Sequence, residues 1–143
     1  MQARKKLRWR GELTEALGDV AGGTHSGLER RYLRGVERPH GLPLAIRQAR
    51  VVSGGHVLYR DVLYGEYGVA VELDGAAAHP PEESWLDRHR DNAATVDGVV
   101  TLRYSWADIA TRPCAVAAEV GAVLRAHGWP APLRRCTPDC PMR

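Results

Sequence analysis

Three short stretches of β-branched and apolar residues follow one another in the first half of the chain. Their sequences are IRQARVV, HVLYRDVL and GVAVELD, and the glycine-bearing segments SGG and YGEYG separate them. Apolar runs of this length bounded by turn residues predict three successive strands. In the third strand the larger apolar residues fall on one face, whereas Glu72 and Asp74 share the opposite face with Ala70.

Helical patterns lie on both sides of these strands. A short helix is predicted over about residues 12–20, and a second begins after Ser26, with Glu29 at the capping-box position. Farther along, Ser84 is the predicted N-cap of a helix that contains WLDRHRDNAATV and ends at the turn Asp97-Gly98. These signals place two helices before the strands and one after them.

A fourth strand and a final helix complete the pattern. VVTLRY has strand character, and after Ser105 a helical turn leads to Pro113, which suits the first turn of a helix ending at Gly128. The predicted order is αα-βββ-α-β-α, which indicates the α/β class. We expect residues 1–25 to form a basic arm with a short helix, residues 26–128 the domain, and residues 129–143 a flexible tail.

Length and composition narrow the class of protein. At 143 residues with 44% hydrophobic content the chain suits one domain, and it contains no long apolar segment and no signal peptide, so a cytoplasmic protein is predicted. The net charge of +3 favours a polyanionic partner only weakly. Of the twenty basic residues eighteen are arginines, and the lysines are Lys5 and Lys6. Any mechanism that needs a lysine after residue 6 is therefore excluded.

The three cysteines, Cys114, Cys136 and Cys140, are too few and too unevenly spaced for a secreted disulfide framework. Cys136 and Cys140 have zinc-ligand chemistry, with Cys114 and His127 as candidate further ligands. Their C-x3-C spacing has no matching second pair, however, so the pattern favours a loose tail over a zinc site.

Acidic residues cluster in RDVLYGEYGVAVELDGAAAH. Asp61 lies near the end of the second strand, and the short YGEYG connection makes the second and third strands antiparallel neighbours. Asp61 then falls level with position 71 or 72, close to Glu72 and Asp74, with His79 just beyond. The pattern predicts three carboxylates and one histidine at one end of a sheet.

Such a cluster has a chemical interpretation and a structural one. Carboxylates that repel one another are stabilised by a divalent cation, which polarises a phosphate and activates water, while a histidine transfers the proton. In the structural interpretation Glu72 and Asp74 form the solvent face of a strand, Asp61 satisfies turn amides, and His79 is a loop residue.

The order of these residues resembles a known family. Asp61, ten intervening residues and Glu72-x-Asp74 resemble the PD-(D/E)XK nuclease pattern on an α-βββ-α-β core. More closely, the chain resembles the DUF559 group, related to very-short-patch mismatch endonucleases, over about residues 26–126. The further matching positions are Ser26-x-x-Glu29, Gly41-Leu42-Pro43, VELDG with His79, Asp87-Arg88-x-Arg90-Asp91-Asn92, Gly98 with Leu102-Arg103-Tyr104, and Trp106-x-Asp108.

The resemblance implies a restriction-endonuclease-like core with a mixed sheet of about four strands, and it implies roles for single residues. Asp61 and Glu72 hold Mg²⁺ (or Mn²⁺), with the backbone carbonyl of Leu73 as a further ligand. Glu29 orients water or a second ion, and His79 is the general base or acid. Asp74 replaces the lysine of the broader pattern. The residues implied to face nucleic acid are Arg88, Arg90 and Asn92, with His89 beside them.

The function implied is a magnesium-dependent DNA endonuclease that hydrolyses phosphodiester bonds in double-stranded DNA, of a mismatch-repair-like or defence type. Since the motif lysine is absent, the alternative is a non-catalytic nuclease-like DNA-binding module of a regulator or of a toxin–antitoxin or phage-defence system. A more remote alternative is a metal-dependent enzyme for a small phosphorylated substrate. A homodimer, and a longer parent protein with a helix-turn-helix domain, are compatible with either nuclease-like interpretation.

Overall fold

The computed structural model describes residues 27–53, 55–74 and 81–142. Its elements in chain order are α1 (Gly27–Tyr32) with a π-helical continuation (Leu33–Glu37), β1 (Ile46–Ser53), β2 (His56–Tyr64), β3 (Val69–Asp74), α2 (Pro81–Val96), β4 (Val100–Ser105), α3 (Trp106–Thr111) and α4 (Pro113–Ala126). The predicted N-terminal arm and first helix, Ser26 and His79 lie outside the described residues.

The four strands form one mixed sheet in the order β1-β2-β3-β4. The first three are antiparallel neighbours, and β4 pairs with β3 in parallel. A parallel pair needs a crossover, and α2 supplies it. The predicted α/β class with a mixed four-stranded sheet is confirmed.

The hydrophobic core lies on one face of the sheet. There α1, α3 and α4 cover the strands, and the central strand β3 contributes Val69 and Val71, both fully buried. Each such side chain removed from water stabilises the fold by roughly 1.5–3 kcal/mol. The opposite face carries Glu72 and contacts α2, whose Ala94 is buried. The acidic strand residues therefore lie between sheet and helix rather than in open solvent.

A buried polar network fixes the end of α1 against the sheet. Glu37 is 1% exposed and accepts a 2.7 Å hydrogen bond from Arg47 of β1. Tyr64 of β2 also donates to Glu37 at 3.3 Å, and Tyr32 donates to Tyr64 at 2.8 Å. Since buried polar groups need partners, this network orients α1.

The structure changes one predicted helix start. Helix α2 begins at Pro81, so Ser84 lies within its first turn and is not the N-cap. Proline suits the first helical position because its missing N–H would have no partner there. The far end of α2 follows the prediction, since Gly98 adopts a φ of +84° and its N–H bonds to the Thr95 carbonyl.

The last helices begin as the sequence indicates. Ser105 and Asp108 form a reciprocal capping box at the start of α3, and Pro113 opens α4. None of the described helices has the length and apolar character needed to cross a membrane.

The segment after Gly128 differs from the predicted flexible tail. Its described residues, 129–142, contain no helix or strand, but Trp129 and Cys140 are buried, and the Arg134 N–H donates to the His40 carbonyl at 2.8 Å. Leu133 lies so close to α4 that a Cβ on Gly121 would stand 2.7 Å from its methyl carbon. The prolines and polar residues suggested a loose tail, yet this segment packs against the domain.

Candidate functional site

Asp61 and Glu72 lie side by side on adjacent antiparallel strands. Val62 pairs with Val71, and one further step along this register brings Asp61 level with Glu72. The two carboxyl groups hydrogen-bond to each other. Asp61 also accepts a 2.8 Å hydrogen bond from the backbone N–H of Leu73. The backbone group of Leu73 that points at Asp61 is thus its N–H, and not the carbonyl that the resemblance implied as a further metal ligand.

The surroundings of Glu72 disfavour its charged form. Its burial and then the nearby Asp61 charge raise the pKa of Glu72 from 4.5 to about 8, although Arg60 and Arg90 oppose the shift. At neutral pH, in the absence of a cation, Glu72 is therefore mostly protonated and donates its hydrogen bond to Asp61.

Gln48 connects the acidic pair to α1. Its side-chain amide donates to Asp61 at 3.2 Å and to Glu29 at 2.5 Å. Among the described residues it is the one non-glycine with a positive φ, +47°, although it lies within β1. A left-handed backbone costs a non-glycine residue roughly 1–2 kcal/mol, so the surrounding contacts hold Gln48 in place.

The pairing of β1 with β2 departs from regular geometry at this position. Gln48 lies opposite Asp61 in the β1–β2 register. Neighbours along a regular strand point to opposite faces, yet both Arg60 and Asp61 contact Glu72. The side chains of Arg60 and Asp61, which are successive residues of β2, therefore both reach Glu72. The sequence carried no signal for Gln48 beyond a polar residue within an apolar run.

Arg60 supplies a buried positive charge. It is 2% exposed, its Nε lies 3.0 Å from Glu72 Oε1, and its Nη2 donates to Thr101 at 2.5 Å. The contact with Glu72 is not aligned as a hydrogen bond, so Glu72 Oε1 has no hydrogen-bond partner among the described residues. Arg60 therefore offers charge to this oxygen without an aligned N–H, and the oxygen keeps its lone pairs available to a further ligand.

Asp74 has a different environment. It accepts from Arg103 of β4 at 3.1 Å. Arg103 also donates a fork of hydrogen bonds to Asp91 of α2, at 2.8 and 3.0 Å, and lies 3.6 Å from Asp87. These carboxylates, Asp91 foremost, raise the pKa of Arg103. Arg103 therefore neutralises Asp74, the residue found at the position of the lysine in the pattern that the sequence resembles.

The predicted nucleic-acid residues of α2 divide into two groups. Arg90 donates to the Tyr59 carbonyl at 3.0 Å and points toward the sheet. Arg88 and Asn92 are exposed, one helical turn apart on the outer face. His89 packs against Trp85 with ring centroids 3.9 Å apart and the ring planes tilted by 51°. Arg88 and Asn92 remain placed for a ligand in solvent, whereas Arg90 supports the fold.

A second cluster lies on the other side of the core. It comprises His40, Cys114, Cys136 and Cys140, whose ligand atoms all lie within 4.8 Å of one another. His127, the histidine suggested by the sequence, is exposed and bonds to the Val123 carbonyl at the opposite end of α4. His40 gave no sequence signal because it is far from the cysteines along the chain.

The donor atoms of this cluster differ from those predicted for magnesium. Thiolate and imidazole ligands suit zinc-like ions, whereas Mg²⁺ prefers oxygen. Backbone N–H groups, that of Met142 foremost, lower the pKa of Cys140 to about 6, and burial raises that of Cys114 to about 12. The structure therefore contains a cluster able to hold a metal ion, but its chemistry excludes a magnesium preference.

Comparisons of the chain with protein-family models, with curated proteins and with solved structures returned no match. The resemblance to the DUF559 group therefore rests on the motif residues and their order alone. Of these residues, the structure brings Asp61 and Glu72 together, connects Glu29 to them through Gln48, and pairs Asp74 with Arg103.

Proposed function

We propose that this protein is a metal-dependent DNA endonuclease of the mismatch-repair-like or defence type, with Asp61 and Glu72 as its metal ligands. One observation carries the proposal, namely two carboxyl groups held in contact with the pKa of Glu72 raised to about 8. A pair of this kind is destabilising unless a cation or a proton is present, and such shifts concentrate at functional sites.

The residues at this point fit a hard divalent cation. Both side chains offer carboxylate oxygens, and Glu72 Oε1 is buried without a hydrogen-bond partner among the described residues. Asp61 accepts one hydrogen bond on each oxygen, from Gln48 and from the Leu73 N–H, and a third from protonated Glu72. A cation that displaces the Glu72 proton frees the lone pair that accepts this third bond. Oxygen ligands of this type suit Mg²⁺ or Mn²⁺.

The chain's own residues orient and charge the site. Gln48 and the Leu73 N–H fix Asp61 in one orientation. Arg60 and Arg90 add positive charge near Glu72, where a phosphate brings negative charge. A bound divalent cation would polarise a phosphate and lower the pKa of attacking water. Glu29, connected through Gln48, is the proposed water-orienting residue, and His79 the proposed proton carrier.

A separate observation favours the non-catalytic alternative. Arg60 is buried, and its Nε lies 3.0 Å from Glu72 Oε1. A permanent positive charge is therefore already present beside the Glu72 carboxyl group. Asp74, at the position of the motif lysine, is bound by Arg103. In a nuclease-like DNA-binding module these two ion pairs would replace the cation, and the exposed face with Arg88 would make the contacts with DNA.

Cleavage assays separate the two candidates. Supercoiled and mismatched duplexes are incubated with Mg²⁺ or Mn²⁺ and either the unmodified protein, Asp61→Asn or Glu72→Gln. The endonuclease proposal predicts that each substitution lowers nicking by about 100-fold or more, since metal assistance supplies several kcal/mol.

Glu66→Gln is the matched control, because Glu66 is exposed in the β2–β3 turn and its loss leaves the site intact. Nicking that survives both site substitutions identifies a contaminant and overturns the proposal. Binding of duplex DNA with no nicking by the unmodified protein establishes the non-catalytic alternative.

A further inference from the structure

The cluster of histidine and cysteines joins three parts of the chain. His40 follows the π-helical end of α1, Cys114 is in the first turn of α4, and Cys136 and Cys140 lie in the C-terminal segment. His40 and Cys140 are buried, whereas Cys114 and Cys136 are half-buried. All three cysteines are free thiols.

Three spacings between the ligand atoms are close to those of a tetrahedral zinc site, and all the ligand atoms lie within 4.8 Å of one another. Zinc–sulfur bonds of about 2.3 Å at tetrahedral angles place two sulfurs about 3.8 Å apart, and a nitrogen ligand about 3.6 Å from each sulfur. Cys114 Sγ lies 3.6 Å from the sulfurs of Cys136 and Cys140. His40 Nε2 lies 3.9 Å from Cys140 Sγ. An ion at the centre would reach all four atoms with small adjustments.

His40 is also in the correct tautomer. Its Nδ1 lies 2.8 Å from the Val36 carbonyl oxygen, and because a carbonyl only accepts, Nδ1 carries the proton. In the neutral ring Nε2 then presents its lone pair to the sulfurs. A backbone carbonyl that fixes the tautomer in this way is the usual support of a metal-binding histidine.

We propose that the chain binds one structural zinc ion through four side chains: those of His40, Cys114, Cys136 and Cys140. Four protein ligands leave no open coordination position, which is typical of structural rather than catalytic zinc. The ion would hold the C-terminal segment against α4 and against the end of α1. The site is separate from Asp61 and Glu72, so it stands or falls independently of the nuclease proposal.

Metal content and cobalt spectroscopy test the site in the full chain. Protein purified under reducing conditions is expected to contain about one zinc per chain. Replacement by Co²⁺ is expected to give thiolate-to-cobalt charge-transfer bands and the intense d–d bands of a tetrahedral ion. Added Zn²⁺ should abolish these bands, and removal of zinc should lower the unfolding temperature by about 10 °C.

Two histidine variants form a matched pair. His40→Gln is expected to lose zinc, whereas His127→Gln, which alters the exposed histidine of α4, should retain it. His40→Cys keeps four ligands, so it should retain the ion and strengthen the charge-transfer bands. This variant stays informative if His40→Gln fails to fold.

The outcomes that overturn the proposal are equally definite. They are zinc well below one equivalent together with no thiolate–cobalt band from reduced protein, or equal zinc content in His40→Gln and the unmodified chain. Oxidation of a cysteine pair to a disulfide in protein kept under reducing conditions would also overturn it, since two of the ligands would then be consumed.

Discussion

Glu72 is a single residue whose environment has a measurable consequence for stability. Its pKa rises from 4.5 to about 8, chiefly through burial and secondly through Asp61. A raised folded-state pKa stabilises the fold fully below pH 4.5 and loses this contribution as the pH rises through about 8. Without added divalent cation, the chain should therefore weaken on passing from mildly acidic to alkaline solution.

Glu72→Gln should remove this dependence, because a neutral amide keeps the shape and never ionises. Relative to the unmodified chain, the variant is expected to gain up to about 4 kcal/mol in unfolding free energy between about pH 5 and about pH 9. Urea unfolding at both pH values measures the difference. Glu66→Gln, in an exposed turn, should show no such trend. Parallel pH profiles for Glu72→Gln and the unmodified chain would contradict the expected pKa.

Single residues also show where sequence reasoning succeeds and fails. The hairpin length predicted that Asp61 and Glu72 meet, because a short connection fixes the register of antiparallel strands. Gln48 was missed, since a left-handed backbone at one position leaves no pattern in the sequence. Arg88 and Arg90 separate as helical spacing requires, but only the contact with the Tyr59 carbonyl shows which one faces inward.

At the scale of elements, an arginine from β4 fixes α2 to the sheet. Arg103 contacts carboxylates on two elements, Asp74 of β3 and Asp91 and Asp87 of α2. The motif residues around α2 therefore have a structural role that the resemblance alone did not reveal. They place the helix that carries Arg88 above the end of the acidic strands.

Arg103→Lys should loosen this attachment although the charge is kept. Lysine cannot form the planar fork that Arg103 makes with Asp91, so the unfolding free energy should fall by about 1–3 kcal/mol. Arg88→Lys is the matched control, because Arg88 is exposed on α2, the helix that carries Asp91. Chemical unfolding measures both variants, and equal stabilities would refute the role given to Arg103.

For the whole molecule, the net charge of +3 and the eighteen arginines favour electrostatic attraction to the phosphates of the proposed DNA partner. Binding to duplex DNA through phosphate contacts should weaken steeply between about 50 and 200 mM salt. Arg88→Ala should lower the slope of log affinity against log salt by about 0.9, the value for one lost contact.

Arg125→Ala provides the comparison for this experiment, since Arg125 is also exposed but lies on α4, on the other side of the sheet. Its slope should equal that of the unmodified chain. Fluorescence anisotropy over a salt series gives all three slopes. An affinity that does not change with salt would remove the phosphate-contact interpretation altogether.

The order and class of the elements were accessible from the sequence because hydrophobic periodicity and turn residues are local signals. The packing of residues 129–142 was not, since their prolines and polar side chains resemble those of a loose tail. The pairing of His40 with the cysteines was also inaccessible, because it depends on where α1 and α4 meet. Contacts between distant segments are set by the fold and leave little trace in local composition.

The proximity of His40 to Cys140 has a consequence for how the protein forms during synthesis. The ring nitrogen and the sulfur lie 3.9 Å apart although 100 positions separate them in the chain. The hairpin strands, α2 and β4 all leave the ribosome before the segment containing Cys136 and Cys140. At typical elongation rates of about 5–20 residues per second, this segment is completed seconds after α4. Until then, the surfaces of α1 and α4 that the segment contacts stay uncovered. During that interval the C-terminal segment does not yet cover His40, to which it bonds in the finished fold.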